Sequence, residues 1–251
     1  MSKILTIGRT EARRIFVSPL AWSVLAGLQL VLGMVFWFSL IDFANNSENY
    51  GDNYGVSDYI VAGTLVGFPT ILMLLVMPVM TMRLFAEERK SGTITLLFGA
   101  PVSLVELVLG KFLGLLAFVG AVIGLLALMS FSLLPATGWT LDLGRIAAGL
   151  LGLFLMMSAF GAAGLFVSSL TKEPVIAAVT SLILLLAVWL IQIPSGIEGV
   201  PFPHVWEYLS LISHFDSLRR GVFDSGDVVY YVLFITLFLW MTVQRLDMER
   251  N

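Results

Sequence analysis

The sequence predicts an all-α membrane protein with six transmembrane helices and both termini in the cytoplasm. Three observations carry this. Of 251 residues, 58% are hydrophobic and 12% charged, with a mean hydropathy of +0.95, a balance foreign to soluble domains. Six stretches, about 20–41, 61–82, 112–134, 146–170, 175–193 and 228–243, contain no Asp, Glu, Lys, Arg or His. Most of them reach or approach the ~20 apolar residues that a helix needs to cross a bilayer. Finally, with the N-terminus inside, eleven Lys and Arg fall in cytoplasmic segments against Arg145, Arg219 and Arg220 outside. Basic residues are retained on the cytoplasmic side. The chain length leaves room for one domain, residues 1–251, in the inner (cytoplasmic) membrane.

Ser2 to Val17 precede the first span. Ile4, Leu5, Gly8, Ala12, Ile15 and Phe16 recur on one helical face and Lys3, Thr6, Arg9, Arg13 and Arg14 on the other, the pattern of an amphipathic helix lying in the membrane interface. Ser18-Pro19 ends it, because proline disfavours helix in the residue before it and suits a helix start. After span one, Asp42 to Tyr59 is a polar outer loop. Span two carries Pro69 and Pro78, which remove backbone donors and predict a bend. Its Met73, Met77 and Met80 read as packing rather than a soft-metal ladder.

The segment Arg83 to Lys111, RLFAEERKSGTITLLFGAPVSLVELVLGK, is too charged for lipid, and Ile94, Leu96, Leu97 and Phe98 make it too apolar for a featureless loop. Such a stretch needs a protein surface to cover it. A short helix is expected around Ala86 to Phe98, punctuated by Gly92, with Pro101 in a turn and Ser103 with Glu106 forming a capping box for span three. Spans three and four hold small pairs at four-residue spacing, including Gly110 with Gly114, Gly120 with Gly124 and Ala148 with Gly152, which permits close helix packing in membranes. Between spans five and six, Trp206, Leu209, Ile212, Phe215, Leu218 and Val222 recur at three- and four-residue intervals. They describe a re-entrant amphipathic element in the outer leaflet. Phe215, Leu218 and Val222 are expected to bury against spans five and six, with Arg219 and Arg220 near headgroups. The last span is the shortest, flanked by Tyr230, Tyr231 and Trp240.

The chemistry that is missing narrows the function. The only Gly-Lys pair, Gly110-Lys111, is followed by Phe112, so no phosphate-binding loop is present. Neither a G-x-S-x-G elbow nor an H-E-x-x-H helix occurs. His214 two residues from Asp216 is a conceivable dyad, but a surface histidine beside an acid is commonplace. Without cysteine there is no thiol catalysis. The apolar stretches also lack the ionisable relay that an ion-driven carrier needs inside the bilayer, so the energy for transport is expected from a partner.

From Ala86 to Lys111 the chain resembles the membrane subunits of ATP-binding-cassette exporters of the type 2 class. The match rests on Glu87-Glu88-Arg89, Ser91-Gly92-Thr93, Leu96-Leu97, Pro101-Val102-Ser103 and Gly110-Lys111. Phe16-Val17-Ser18-Pro19-Leu20-Ala21, Tyr208-Leu209-Ser210, His214-Phe215-Asp216-Ser217, Arg220-Gly221 and Asp224-Ser225 are similar to the gliding-motility permease branch. The resemblance implies a non-catalytic six-helix permease that pairs with a second permease chain, identical or different, and docks two cytosolic ATPase subunits. ATP and Mg would bind in those partners, with no cofactor on this chain. It also implies a coupling helix between spans two and three, and an outer re-entrant element that closes the pathway. On this basis the coupling residues are Glu87, Glu88, Arg89, Lys90, Gly92, Thr93, Leu96, Leu97 and Phe98. Leu96, Leu97 and Phe98 would fill a groove in the ATPase and the four charges would form rim ion pairs, with Glu88 alternatively fixed to Arg13 or Arg14. The outer gate would comprise His214, Phe215, Leu218, Arg219 and Arg220. Membrane lipid and an extracytoplasmic partner are further expected contacts, and nucleic acid is not. Two other functions fit the same chain: a scaffold that anchors an ATPase without conducting cargo, and an ion-driven carrier, which the charge-free spans disfavour.

Overall fold

A computed structural model describes residues 3–50, 57–99, 101–134, 142–196 and 202–250. Every regular element among them is helical. The first helix, α1 (Lys3–Val17), ends at Ser18, and α2 (Pro19–Tyr50) starts at the proline. Helix α1 lies across α6 (Leu104–Phe131), and the reason is steric. A Cβ on Gly110 would stand 2.5 Å from Ile7 Cγ2, one on Gly114 2.5 Å from Glu11 Cβ, and one on Gly8 3.1 Å from Leu113 Cβ. Three glycines therefore let the two backbones touch, and Gly110 with Gly114 are used by the N-terminal helix. Gly120 and Gly124 meet nothing within 4 Å. On α1 the buried face runs through Gly8 and Ile15, while Leu5, expected on it, is exposed.

The second apolar stretch changes pitch. It begins as a π-type segment, Ser57–Gly67, and tightens into α3 (Phe68–Thr81). Pro69 lies in the first turn of α3, at the change of pitch, and Pro78 is inside the helix. Met73 and Met77 are fully buried core residues. The expected single helix after it is two, α4 (Ala86–Lys90) and α5 (Ile94–Gly99), divided by Gly92 at φ +73°. The capping box of α6 forms: Ser103 Oγ accepts from Glu106 N at 3.2 Å and Glu106 Oε2 accepts from Ser103 N at 2.9 Å.

Helix α7 (Leu143–Ser168) is the hub, with 83% of its apolar window buried against 17% for α2 and for the last helix. It packs on α3, α6, α8 (Pro174–Leu190), α10 (Leu211–Arg219) and α11 (Ser225–Arg250). The last helix is 26 residues long and runs past its apolar stretch at both ends, with Leu246 buried and Glu249 paired to Arg89 in its final turns. Helix α8 is 17 residues long. Among the described residues, five helical stretches are long and apolar enough to cross a membrane, and α8 is a shorter apolar helix.

Candidate functional site

Where α3 hands over to α4 the chain turns through Met82 to Phe85, and no local side chain caps α4. The cap comes from the far end of α7. Ser168 Oγ accepts from Phe85 N at 3.1 Å and Ala86 N at 3.2 Å, both buried, and donates to Met82 O at 3.1 Å in a part-buried bond. Replacing Ser168 by alanine strands two buried amide donors, each costing about 1–3 kcal/mol. Ser168→Ala should therefore speed hydrogen exchange at Phe85 and Ala86 and lower the melting temperature. Unchanged exchange at both amides would refute the capping role.

The next four residues each go to a different place. Glu87 accepts from Arg14 of α1 at 3.1 Å. Glu88 turns inward and receives Lys111 Nζ of α6 at 2.6 Å and Arg14 Nη1 at 3.3 Å. Arg89 pairs with Glu249 near the end of α11. Lys90 Nζ reaches Glu173, the residue before α8, at 2.8 Å. Lys111 has only 1% of its side chain exposed, also donates to Glu11 at 2.7 Å, and stands 5.2 Å from the centre of the Phe85 ring. A buried ammonium is tolerable when carboxylates surround it, and Lys111 has two. Five residues of chain thus gather α1, α6, α7, α11 and the approach to α8 around one bend.

Beyond the hub the chain faces outward. Ser91, Gly92 and Thr93 are exposed, and Ser91 Oγ lies 2.9 Å from Thr93 Oγ1. Ile94 is buried and Leu97 half-buried, Leu97 lining a 240 Å³ cavity with Ile7, Val102, Leu104, Leu107 and Arg250. The side chains of Leu96 and Phe98 lie outside the described residues.

At the opposite end, α9 (Pro203–Leu209) and α10 form a helical cap. Ser210 Oγ starts α10 by accepting from Ile212 N at 3.2 Å and Ser213 N at 3.3 Å. Phe215 and Leu218 are buried, and a Cβ on Gly152 of α7 would come within 2.9 Å of Leu218 Cβ. His214 lies 2.6 Å from Asp227 Oδ1 through Nδ1 and 3.0 Å from Tyr208 O through Nε2, stacked on Tyr230 at 4.1 Å. Tyr230 and Tyr231 donate to Leu209 O and Leu211 O, both at 2.7 Å, which pins the cap to α11.

The family described as ABC-2 family transporter protein matches residues 14–244, nearly the whole chain. The chain belongs to the ABC-2 transporter family. It is a multi-span permease subunit of that family. No curated protein matches it.

In this ABC-2 permease several expected contacts are rearranged. Glu88 and Arg89 are buried, so of the four charges proposed for a rim only Glu87 and Lys90 are exposed. Glu88 meets Arg14 and not Arg13, because Arg14 projects on the α1 face turned toward the bend. The cap rests mainly on α7, the fourth apolar stretch, since Gly152 offers the close approach there, and Val222 is exposed beyond the end of α10. The partner of His214 is Asp227, while Asp216 holds Arg219 Nε at 3.0 Å one turn along its own helix. Arg219 also donates to Ala62 O at 3.4 Å, and Arg220 is exposed. Glu11, Lys111, Ser168, Glu173 and Glu249 complete the hub. Of these only Lys111 carried a sequence signal, as a lone cation at the border of an apolar run.

Proposed function

We propose that this ABC-2 permease is the membrane half of an ATP-driven exporter, docking a cytosolic ATPase on the exposed side of the α4–α5 bend. The observation that supports this best is the hub itself: a load applied at Ser91–Thr93 bears on five helical elements at once through Ser168 and Glu87 to Lys90. Coupling requires such a lever. In the same reading α8 is a sixth span, since 17 residues rise about 26 Å at 1.5 Å each. Both termini and the bend then lie in the cytoplasm, and α9–α10 form the outer gate. Two permease chains enclose the pathway, with ATP and Mg bound by the partners. The motifs at Tyr208 to Ser210 and His214 to Ser217 align this permease with the gliding-motility branch.

The docking surface divides into apolar anchors and exposed charges. Anchors dominate such interfaces, with truncations costing ~2 kcal/mol or more, whereas exposed ion pairs contribute about 0–1 kcal/mol. Leu97→Ala and Phe98→Ala are therefore expected to weaken ATPase co-purification and transport-linked hydrolysis more than Glu87→Ala or Lys90→Ala. Alanine at Leu96, Leu97 and Phe98 together, with binding and hydrolysis intact, would rule this surface out.

A further inference from the structure

The elbow between α1 and α2 borders a cavity of 160 Å³ that shares Glu11, Arg14 and Glu87 with the coupling hub and extends past it to Ser18, Leu20 and Arg83. One wall is polar, with Arg14, Ser18 and Arg83; the floor is apolar, with Ile15, Met80 and Leu84. The pocket also borders Glu11 and Glu87, but both are engaged, Glu11 by Lys111 at 2.7 Å and Glu87 by Arg14 at 3.1 Å. Arg83 is exposed and makes no hydrogen bond or ion pair among the described residues. The pocket therefore carries one uncommitted positive charge beside an apolar floor. Its size equals roughly five water volumes, enough for a phosphate with the glycerol carbons next to it.

We propose that this elbow pocket binds the phosphodiester headgroup of an anionic phospholipid of the cytoplasmic leaflet, with Arg83 as its principal contact. The proposal rests on the cytoplasmic placement of this end argued above. A lipid is favoured over a soluble anion for two reasons. Leu20 and Ala21, the first residues of the α2 span, also line the pocket, so an acyl chain leaving the apolar floor continues along a surface already built for hydrocarbon. The next residue of α2, Trp22, is exposed, packs edge-on against Phe16, and donates from Nε1 to Phe16 O at 2.7 Å. An amphipathic ring in that position marks headgroup depth. Arg9 and Arg13, likewise exposed and without partners among the described residues, add positive potential on the outward face of α1. Basic pockets between membrane helices on the cytoplasmic side hold anionic headgroups by this combination.

The test uses the full chain, delipidated in detergent and titrated with phosphatidylglycerol, phosphatidylcholine or soluble glycerol 3-phosphate, with binding read by native mass spectrometry. Phosphatidylglycerol should bind best, and Arg83→Gln should weaken it by about fivefold or more, with Arg83→Lys intermediate. Lys172→Gln, the same loss of charge at an exposed lysine away from the pocket, should leave binding unaltered. Equal effects of Arg83→Gln and Lys172→Gln would reduce the binding to nonspecific charge and overturn the proposal. Glycerol 3-phosphate competing as well as the lipid would overturn the lipid assignment, and equal binding of phosphatidylcholine its anionic character. Sidedness is tested apart from affinity. The chain contains no cysteine, so Asn251→Cys provides a unique label; modification from the external face would overturn the cytoplasmic placement while leaving the binding result standing.

Discussion

Lys111→Met is expected to destabilise the hub by about 3–5 kcal/mol, the range for removing one partner of a buried ion pair. Lys111 touches Glu11 and Glu88 at 2.7 and 2.6 Å with its side chain 1% exposed, whereas the half-exposed Arg14 meets the same two carboxylates only at 3.8 and 3.3 Å. Without it two carboxylates face each other across a sealed space with Arg14 alone between them, and Glu88 Oε2 already lacks a partner. The variant should melt at least ~5 °C lower in detergent. Glu88→Gln in the same chain should recover part of the loss, because it removes one of the two stranded charges. A Lys111→Met protein melting within a degree or so of the parent would show that the network does not hold the bend. Lack of recovery in the double variant would separate Lys111 from Glu88.

Gly164→Val should be nearly as damaging, through packing alone. A Cβ there would stand 2.3 Å from Thr81 Oγ1 and 2.9 Å from Thr81 Cβ. Thr81 has no room to turn, being fully buried with its hydroxyl donated to Met77 O at 2.9 Å. Any side chain at Gly164 therefore wedges α3 from α7 at the level of the bend. The cost is about 3 kcal/mol, the upper part of the overpacking range, read as loss of folded protein on purification or a lowered melting point. Gly120→Val, in the same kind of apolar helix but with nothing within 4 Å, is the control and should fold normally as a monomer. Thr81→Ala should partly rescue Gly164→Ala. If Gly164→Val and Gly120→Val behave alike, the close approach of α3 and α7 is not a constraint.

What was legible in the sequence follows the range of the interactions. The end of α1 at Ser18-Pro19 and the box of Ser103 with Glu106 depend on neighbouring residues or on residues three apart, and they emerge as written. The separateness of α4 and α5 was half visible, in that Gly92 was the evident breaker. The pairing of Glu88 with Lys111, of Arg89 with Glu249 and of Ser168 with two amides spans 23, 160 and 82 to 83 residues. Nothing local specifies it, since a carboxylate at a bend serves a partner subunit or its own chain equally well. The seating of the cap was misjudged for a related reason. Hydrophobic periodicity gives the buried face of α10 but not its neighbour, and the neighbour was decided by the missing side chain at Gly152.

Helix α7 touches the cap through Gly152 and holds the bend through Ser168, and the 16 residue steps from one to the other make a rod of about 24 Å. A buried helix hardly compresses, so the two ends exchange work. By thermodynamic reciprocity, whatever free energy the bend exerts on the cap, the cap exerts on the bend. In the exporter reading, cargo held at the cap should then change the affinity of the bend for its ATPase, and the docked ATPase should change the affinity for cargo by the same factor.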